Sequence, residues 1–254
     1  MLDRTRGLVL LAAAASIVTT SLPQAQEHHW SYKGSTGPAA WATIEPDYGT
    51  CGIGKTQSPI DIEDAATKKS DLPAISFDYK PSPLKIIDNG HTIQVDYAPG
   101  SSIAVQGKQY DLVQFHFHKP SEEKINGKNA DMVAHLVHRD RDGKLAVVAV
   151  LLEAGGANPL IDTVWKNVPK TKSKEHEVQG VEVNAADLLP ANKAAYYTFA
   201  GSLTTPPCSE GVTWFVLKNR TSISTDEIAR FAQLYPMNAR PTQALNGREI
   251  RASQ

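Results

Sequence analysis

The residues with the strongest chemical content are Gln114-Phe115-His116-Phe117-His118 and, further along, His135 within Ala134-His135-Leu136-Val137-His138. Side chains two apart on a β-strand share a face, so His116 and His118 converge on one side while Phe115 and Phe117 pack on the other. His135 alternates with Ala134 and Leu136 in a second apolar stretch. Three neutral imidazoles gathered at one point are the donor set of a catalytic zinc centre, in which the fourth tetrahedral position stays open to water. Imidazoles buried in a packed sheet need polar partners, which argues against idle histidines here.

Such a centre needs a sheet to hold it, and the chain is rich in strand signals. Residues 92–97 alternate after the turn Asp88-Asn89-Gly90, and residues 145–152 are apolar on both faces, as a central strand covered on each side would be. Helix signals are few. Asn158-Pro159 opens a segment containing Leu160, Ile161, Val164 and Trp165, and Ser224 with Glu227 forms a capping-box pattern before Ile228, Phe231 and Leu234. A chain of 254 residues that is 41% hydrophobic and 21% charged has material for one ordinary globular domain. Its formal net charge of −1 provides no broad basic footprint for nucleic acid and no polybasic membrane patch, so a small or neutral substrate fits better.

At the N-terminus Arg4 and Arg6 precede an apolar stretch, residues 7–18, followed by Ser21, Pro23 and Ala25. The stretch is too short to span a bilayer and has the layout of a secretory signal peptide. The expected division is a signal peptide at 1–25 and a single domain at 26–254, periplasmic or secreted, with no membrane insertion once the signal is removed. Two cysteines, Cys51 and Cys208, suit an oxidising compartment and are more simply read as one disulfide than as two free thiols. That bridge would tie the N-terminal loop to residues 202–207.

Taken together, the motifs resemble those of α-class carbonic anhydrases of the bacterial, exported type. The resemblance is carried, in family order, by HHWSY at 28–32, CGIGKTQSPIDI at 51–62, DNGH at 88–91, QFHFH with PSE at 114–122, AHLVH at 134–138, SLTTPP at 202–207, VTW at 212–214 and NARPTQ at 238–243. It implies a mainly β (α+β) single domain with few peripheral helices and zinc at the bottom of a conical active-site cavity. The implied central sheet is large, mostly antiparallel and twisted, with about ten strands. Cis peptide bonds before Pro59 and Pro207 are implied as well.

Residue by residue, the resemblance makes His116, His118 and His135 the zinc ligands and the reaction the reversible hydration of carbon dioxide to bicarbonate and a proton by zinc-hydroxide attack. Thr204 matches the threonine that accepts a hydrogen bond from the hydroxide and donates its own proton to a carboxylate, here Glu122; a hydroxyl has one proton, so committing it fixes the direction of the other bond. His91, beside a turn and so near solvent, matches the proton shuttle, for which an imidazole titrating near 6.5 is well suited. Tyr32, Asn89 and Gln94 match polar residues along the water path, Gln94 standing where many relatives have asparagine. Val137, Val147, Leu203, Thr205, Val212 and Trp214 match the substrate pocket, and Gln114 matches the acceptor that orients His116. His28, His29 and His138 match structural positions, and His176 lies in a charged run at 172–177 read as solvated surface. The implied partners are carbon dioxide and bicarbonate, with the protein a monomer or homodimer. Hydrolysis of activated esters is a further expectation.

Two departures from the family pattern stand out. Val133 occupies the place where many members carry a glutamate partner for the third histidine, and Glu123 stands where a histidine is common. The expectation is therefore weakened support at His135 and poorer zinc retention or slower catalysis than in glutamate-bearing relatives. Two other readings compete. His116-x-His118-x-x-x-Glu122 also fits the first motif of cupin dioxygenases, in which the glutamate is a metal ligand, but the second cupin motif is absent. Non-catalytic relatives of carbonic anhydrases lose one or more zinc histidines, whereas this chain keeps all three with Thr204 and Glu122.

Overall fold

The computed structural model describes residues 29–254. The expected signal peptide at 1–25, and His28, lie outside the described residues. The architecture is a twisted sheet of 13 strands, ten of which form one continuous path. In chain order these are β1 (Lys68–Ser70), β2 (Ser82–Asp88), β3 (Ile93–Asp96), β4 (Lys108–His118), β5 (Met132–Arg139), β6 (Leu145–Ala154), β7 (His176–Val183), β8 (Tyr196–Ser202), β9 (Glu210–Leu217) and β10 (Arg251–Ser253). Their order across the sheet is β7-β2-β3-β4-β5-β6-β9-β8-β10-β1. Along this path β6–β9 and β10–β1 are parallel and the other neighbours antiparallel, as expected of a mostly antiparallel sheet. The path has two ends and no closure, so the sheet is open and the cupin barrel is excluded.

The central strands β5 and β6 are buried on both faces over most of their length, which is why their sequences read as nearly continuous apolar runs, whereas β4 alternates buried apolar residues with polar ones. One face carries Phe115, Phe117, Ala134, Leu136, Val148 and Val150, packed with Leu160, Ile161, Val164 and Phe231. Those last four come from α3 (Pro159–Lys166) and α4 (Thr225–Leu234), which follow two one-turn helices, α1 (Trp41–Ile44) and α2 (Thr50–Ile53). Both longer helices start where local chemistry dictates. The Asn158 side chain accepts from the amides of Leu160 and Ile161, and Ser224 with Glu227 closes a capping box.

The other face of the same strands carries the three histidines together with Val133, Val137, Val147, Ala149 and Leu151, and Trp214 of β9 packs with them. Above it, the loop after β8 is fastened at several points. Cys51 and Cys208 form the expected disulfide. The Ser58 amide donates to Ser202 Oγ at 2.9 Å and the Ser202 amide to Ser58 Oγ at 3.1 Å. Gly201 permits this approach, because a Cβ there would lie 2.2 Å from Ser58 Oγ and 2.7 Å from the Trp214 ring. The bonds before Pro59 and Pro207 are cis, as the resemblance implies, and so is the bond before Pro120, which it did not indicate.

His138 belongs to the core. Its Nε2 meets the Tyr79 hydroxyl at 2.8 Å, and burial pushes its pKa down to about 3. A base whose folded pKa is depressed favours the neutral form in the fold, so the unfolded chain binds the extra proton between the two pKa values. Its stabilising contribution is complete above about 6.5, the unfolded value, and is lost as pH falls toward about 3. Urea midpoints measured from pH 7 to 4 should therefore fall less steeply in His138→Phe than in the parent; parallel slopes would refute this assignment.

Candidate metal centre

Strand register brings the ligands together. His135 on β5 lies opposite His116 on β4, and Gln94 on β3 lies opposite His116 from the other side. Side chains paired in this way share a face, so β3, β4 and β5 deliver Gln94, His116 and His135 in one row, with His118 one step along β4. One ring nitrogen from each of the three histidines lies within 4.8 Å of the others.

The remaining ring nitrogens decide which atoms converge. His116 Nδ1 lies 2.8 Å from Gln114 Oε1, His118 Nδ1 lies 2.7 Å from the Asn238 carbonyl, and His135 Nε2 lies 3.1 and 3.2 Å from the Glu123 carboxylate oxygens. Each of these partners accepts, so each of these nitrogens must donate its proton. The lone pairs of His116 Nε2, His118 Nε2 and His135 Nδ1 are left free for a metal. His118 Nε2 is buried with no hydrogen-bond partner, as befits a nitrogen reserved for an ion. Three nitrogen donors suit zinc with one position left open.

The surrounding electrostatics favour the neutral form at His116 and His118 but not at His135. Burial, then the neighbouring His135, pushes His116 down to about 3, and burial with the two other rings holds His118 well below its ordinary value. At His135 burial also works against the charge, but the Glu123 charge and hydrogen bond, with Glu122, outweigh it and raise the pKa. The gap in support expected at His135 is therefore filled, by Glu123 in the turn after β4.

Glu122 is fully buried beside the rings. Its Oε1 accepts from the Arg240 amide at 2.7 Å, while Oε2 has no hydrogen-bond partner and lies 3.6 Å from His118 Nε2 and 3.9 Å from His135 Nδ1. Burial is the main cause that raises its pKa to about 7, helped by Glu123 and opposed by His135, the Arg240 amide and Thr204. Thr204 is buried and close enough to act on Glu122, though no hydrogen bond of ordinary geometry joins the two.

Val137, Val147, Val212 and Trp214 are buried together on the metal-facing side, with Leu203 packed against them, and the Trp214 ring lies 5.0 Å from His135. Thr205 is half-buried, its carbonyl accepting from the Cys208 amide at 2.8 Å. The structure thus brings together the expected ligands, carboxylate, threonine and apolar wall.

The eukaryotic-type carbonic anhydrase family model matches residues 36–254. The chain belongs to that family. It is 40% identical over 247 residues to the carbonic anhydrase of Nostoc sp., covering 96% of this chain and 93% of that protein. It is 41% identical over 251 residues to the carbonic anhydrase of Neisseria gonorrhoeae, covering 98% and 96%. The solved structure of the α-carbonic anhydrase of Thermovibrio ammonificans with the inhibitor sulfanilamide superposes with a TM-score of 0.84 at 40% identity, covering 88% of this chain and 98% of that one.

As a carbonic anhydrase, the chain departs from its sequence expectations at His91. The residue does follow the Asn89-Gly90 turn, where Gly90 adopts a φ of 86° and Asn89 Oδ1 accepts from the amides of His91 at 3.0 Å and Thr92 at 2.9 Å. The ring, however, is half-buried, stacked on Trp30 at 3.6 Å with an interplanar angle of 6°, with His29 4.6 Å away. Burial first, then His29 and Lys172, lowers its pKa to about 4, well below the free imidazole expected at a turn. Asn89 Nδ2 reaches Gln94 Oε1 at 3.5 Å, and the Tyr32 hydroxyl is buried with no partner.

Besides the partner role of Glu123, sequence reasoning misses two residues of the site. The Asn238 carbonyl orients His118, while its side chain takes the Lys119 amide and donates to the carbonyls of His91 and Phe117. Arg240 offers its amide to Glu122 and buries its guanidinium against Gln57 Oε1 and the carbonyls of Ser58 and Cys51. Both lie in NARPTQ, but a role exercised through main-chain atoms leaves no side-chain signature.

Proposed function

We propose that this carbonic anhydrase holds zinc through His116 Nε2, His118 Nε2 and His135 Nδ1 and catalyses the reversible hydration of carbon dioxide to bicarbonate and a proton. Zinc, when bound, supplies the Lewis acidity that makes a water nucleophilic near neutral pH, an effect for which carbonic anhydrases are the standard illustration. The observation that carries the reading is the convergence of three buried imidazoles within 4.8 Å, each with its far nitrogen anchored. Gln114, Asn238 and Glu123 hold the rings in one tautomer and direction. Thr204 would donate a hydrogen bond to Glu122, which leaves its oxygen to accept from the attacking water and so aims a lone pair of that water at the substrate. Carbon dioxide is apolar, and the wall of Val137, Val147, Leu203, Val212 and Trp214 offers it no competing hydrogen bond.

His91 is the proposed receiver of the released proton along a path lined by Tyr32, Asn89 and Gln94, and its burial-lowered pKa of about 4 makes it a poorer acceptor near neutral pH than a free imidazole. In weak buffer His91→Ala is expected to lower kcat while leaving kcat/KM unchanged, and added imidazole buffer should restore the loss. A variant indifferent to buffer would end the shuttle assignment. The compartment is exported, a reading supported by the N-terminal segment and by the Cys51–Cys208 bridge; no helix among the described residues is long and apolar enough to cross a membrane. The protein acts as a monomer or homodimer. The same centre hydrolyses activated esters, and sulfonamide-insensitive or absent ester hydrolysis would remove that activity. The decisive experiment is stopped-flow carbon dioxide hydration by the mature protein before and after chelation, with elemental analysis alongside. Stoichiometric zinc and chelator-sensitive turnover are expected; turnover that survives zinc removal would sink the reading.

A further inference from the structure

Glu123 is completely buried, and both its carboxylate oxygens are directed at one proton, the Nε2–H of His135. A carboxylate is costly to bury unless it is paired, so its place here asks for a reason. The neighbouring strand shows what that reason is. On β4 the residue two before a histidine turns to the same face and holds it: Gln114 takes His116 Nδ1 at 2.8 Å. On β5 the residue in the same relation to His135 is Val133, fully buried among Val137, Val147 and Leu151, and a hydrocarbon accepts nothing. The acceptor that β5 lacks arrives from the turn after β4.

We infer that Glu123 is the positioning residue of the third zinc ligand, doing from the turn at residues 120–123 what the strand position of Val133 cannot do. Its carboxylate holds His135 by Nε2 so that Nδ1 faces the metal. The turn is stiff enough for this task. Ser121 Oγ donates to the Glu123 carbonyl at 2.8 Å and accepts from the Ala130 amide at 2.8 Å. The next residue, Lys124, pairs with Asp61 in a separate small sheet and donates to the Ile60 carbonyl at 3.3 Å. A support fixed on both sides of the chain is what accurate ligand placement requires. Glu122 and Glu123 then address opposite edges of one ring, Glu122 Oε2 lying 3.9 Å from Nδ1 while Glu123 binds Nε2. Two changes that look harmful separately, a valine on the strand and a glutamate in the turn, are one rearrangement.

The inference rests on the zinc reading above, and the test separates the two. Zinc-loaded enzyme is mixed with excess chelator, release is followed with a colorimetric indicator, and urea unfolding of the metal-free form is measured in parallel. Glu123→Leu, close in volume but without an acceptor, is expected to release zinc about 10- to 100-fold faster, the usual effect of losing such a partner. Adding Val133→Glu to Glu123→Leu should return release to near the parent rate. Val133→Glu alone brings a second carboxylate to a nitrogen with one proton and should release zinc no more slowly than the parent. Parent-like release from Glu123→Leu, slower release from Val133→Glu, or no recovery in the double variant would each overturn the proposal. If Glu123→Leu fails to fold, the release rate of the double variant decides the question by itself. A parent enzyme without stoichiometric zinc would sink the metal reading, and the role of Glu123 with it, before any variant is compared.

Discussion

Replacing His118 with alanine is expected to give a folded protein that keeps no stoichiometric zinc and shows no chelator-sensitive hydration of carbon dioxide. The expected loss exceeds the roughly 10- to 100-fold that follows removal of an outer hydrogen-bond partner, because a ligand itself is lost. His118 is fixed at one end by the Asn238 carbonyl, and its other nitrogen is buried with no hydrogen-bond partner, so the ring has no evident task besides holding the ion. Two imidazoles remain in the variant, too few for a tetrahedral centre with one open position. His138→Phe supplies the control. It also removes a buried imidazole from β5, but one bonded to Tyr79 in the core, so stability should change while zinc content and turnover do not. Elemental analysis after dialysis, paired with stopped-flow rates, reads both. A His118→Ala protein that retains one zinc and its turnover would show that the converging nitrogens are not the metal site.

The centre was legible in the sequence where local rules apply and illegible where distant segments meet. Period-two alternation alone places His116 and His118 on one face, and short-range capping patterns give the starts of α3 and α4. The number of strands came through family resemblance, since strand order and register are set by packing across the whole sheet. The sequence exposes the missing acceptor at Val133 but not the carboxylate that replaces it. Glu123 reaches His135 because residues 124–125 pair with Asp61–Ile62, a contact between segments far apart in the chain. His91 shows the same limit. Its turn is readable from Asp88-Asn89-Gly90, but the indole that covers the ring belongs to the N-terminal segment, and that cover is what drives its pKa down.

Cys51→Ala combined with Cys208→Ala is expected to cost about 5 kcal/mol of stability, the chain-entropy estimate for a loop this long, the two cysteines being separated by 157 residues. The consequence for activity should be smaller than that for stability. Without the bridge the loop bearing Thr204 is still held by the reciprocal Ser58–Ser202 bonds and by Gln57 Nε2, which donates to the Cys208 carbonyl at 3.0 Å. The Cys51 side is coupled to the centre more indirectly. Its carbonyl accepts from Arg240 Nη2 at 3.1 Å, and the Arg240 amide holds Glu122. Loosening it should blur the alignment of Glu122 and Thr204 while leaving the three histidines proposed to hold zinc, all on β4 and β5, where they are. The double variant should therefore bind zinc fully at temperatures where it is folded, turn over more slowly than the parent, and unfold at markedly lower denaturant. Denaturant unfolding of the oxidised parent against the double variant measures the first effect, and zinc content with stopped-flow rates measures the second. Equal unfolding free energies would mean that the bridge does not constrain the unfolded chain, and loss of zinc from the folded variant would place the metal ligands under the control of the loop rather than of the strands.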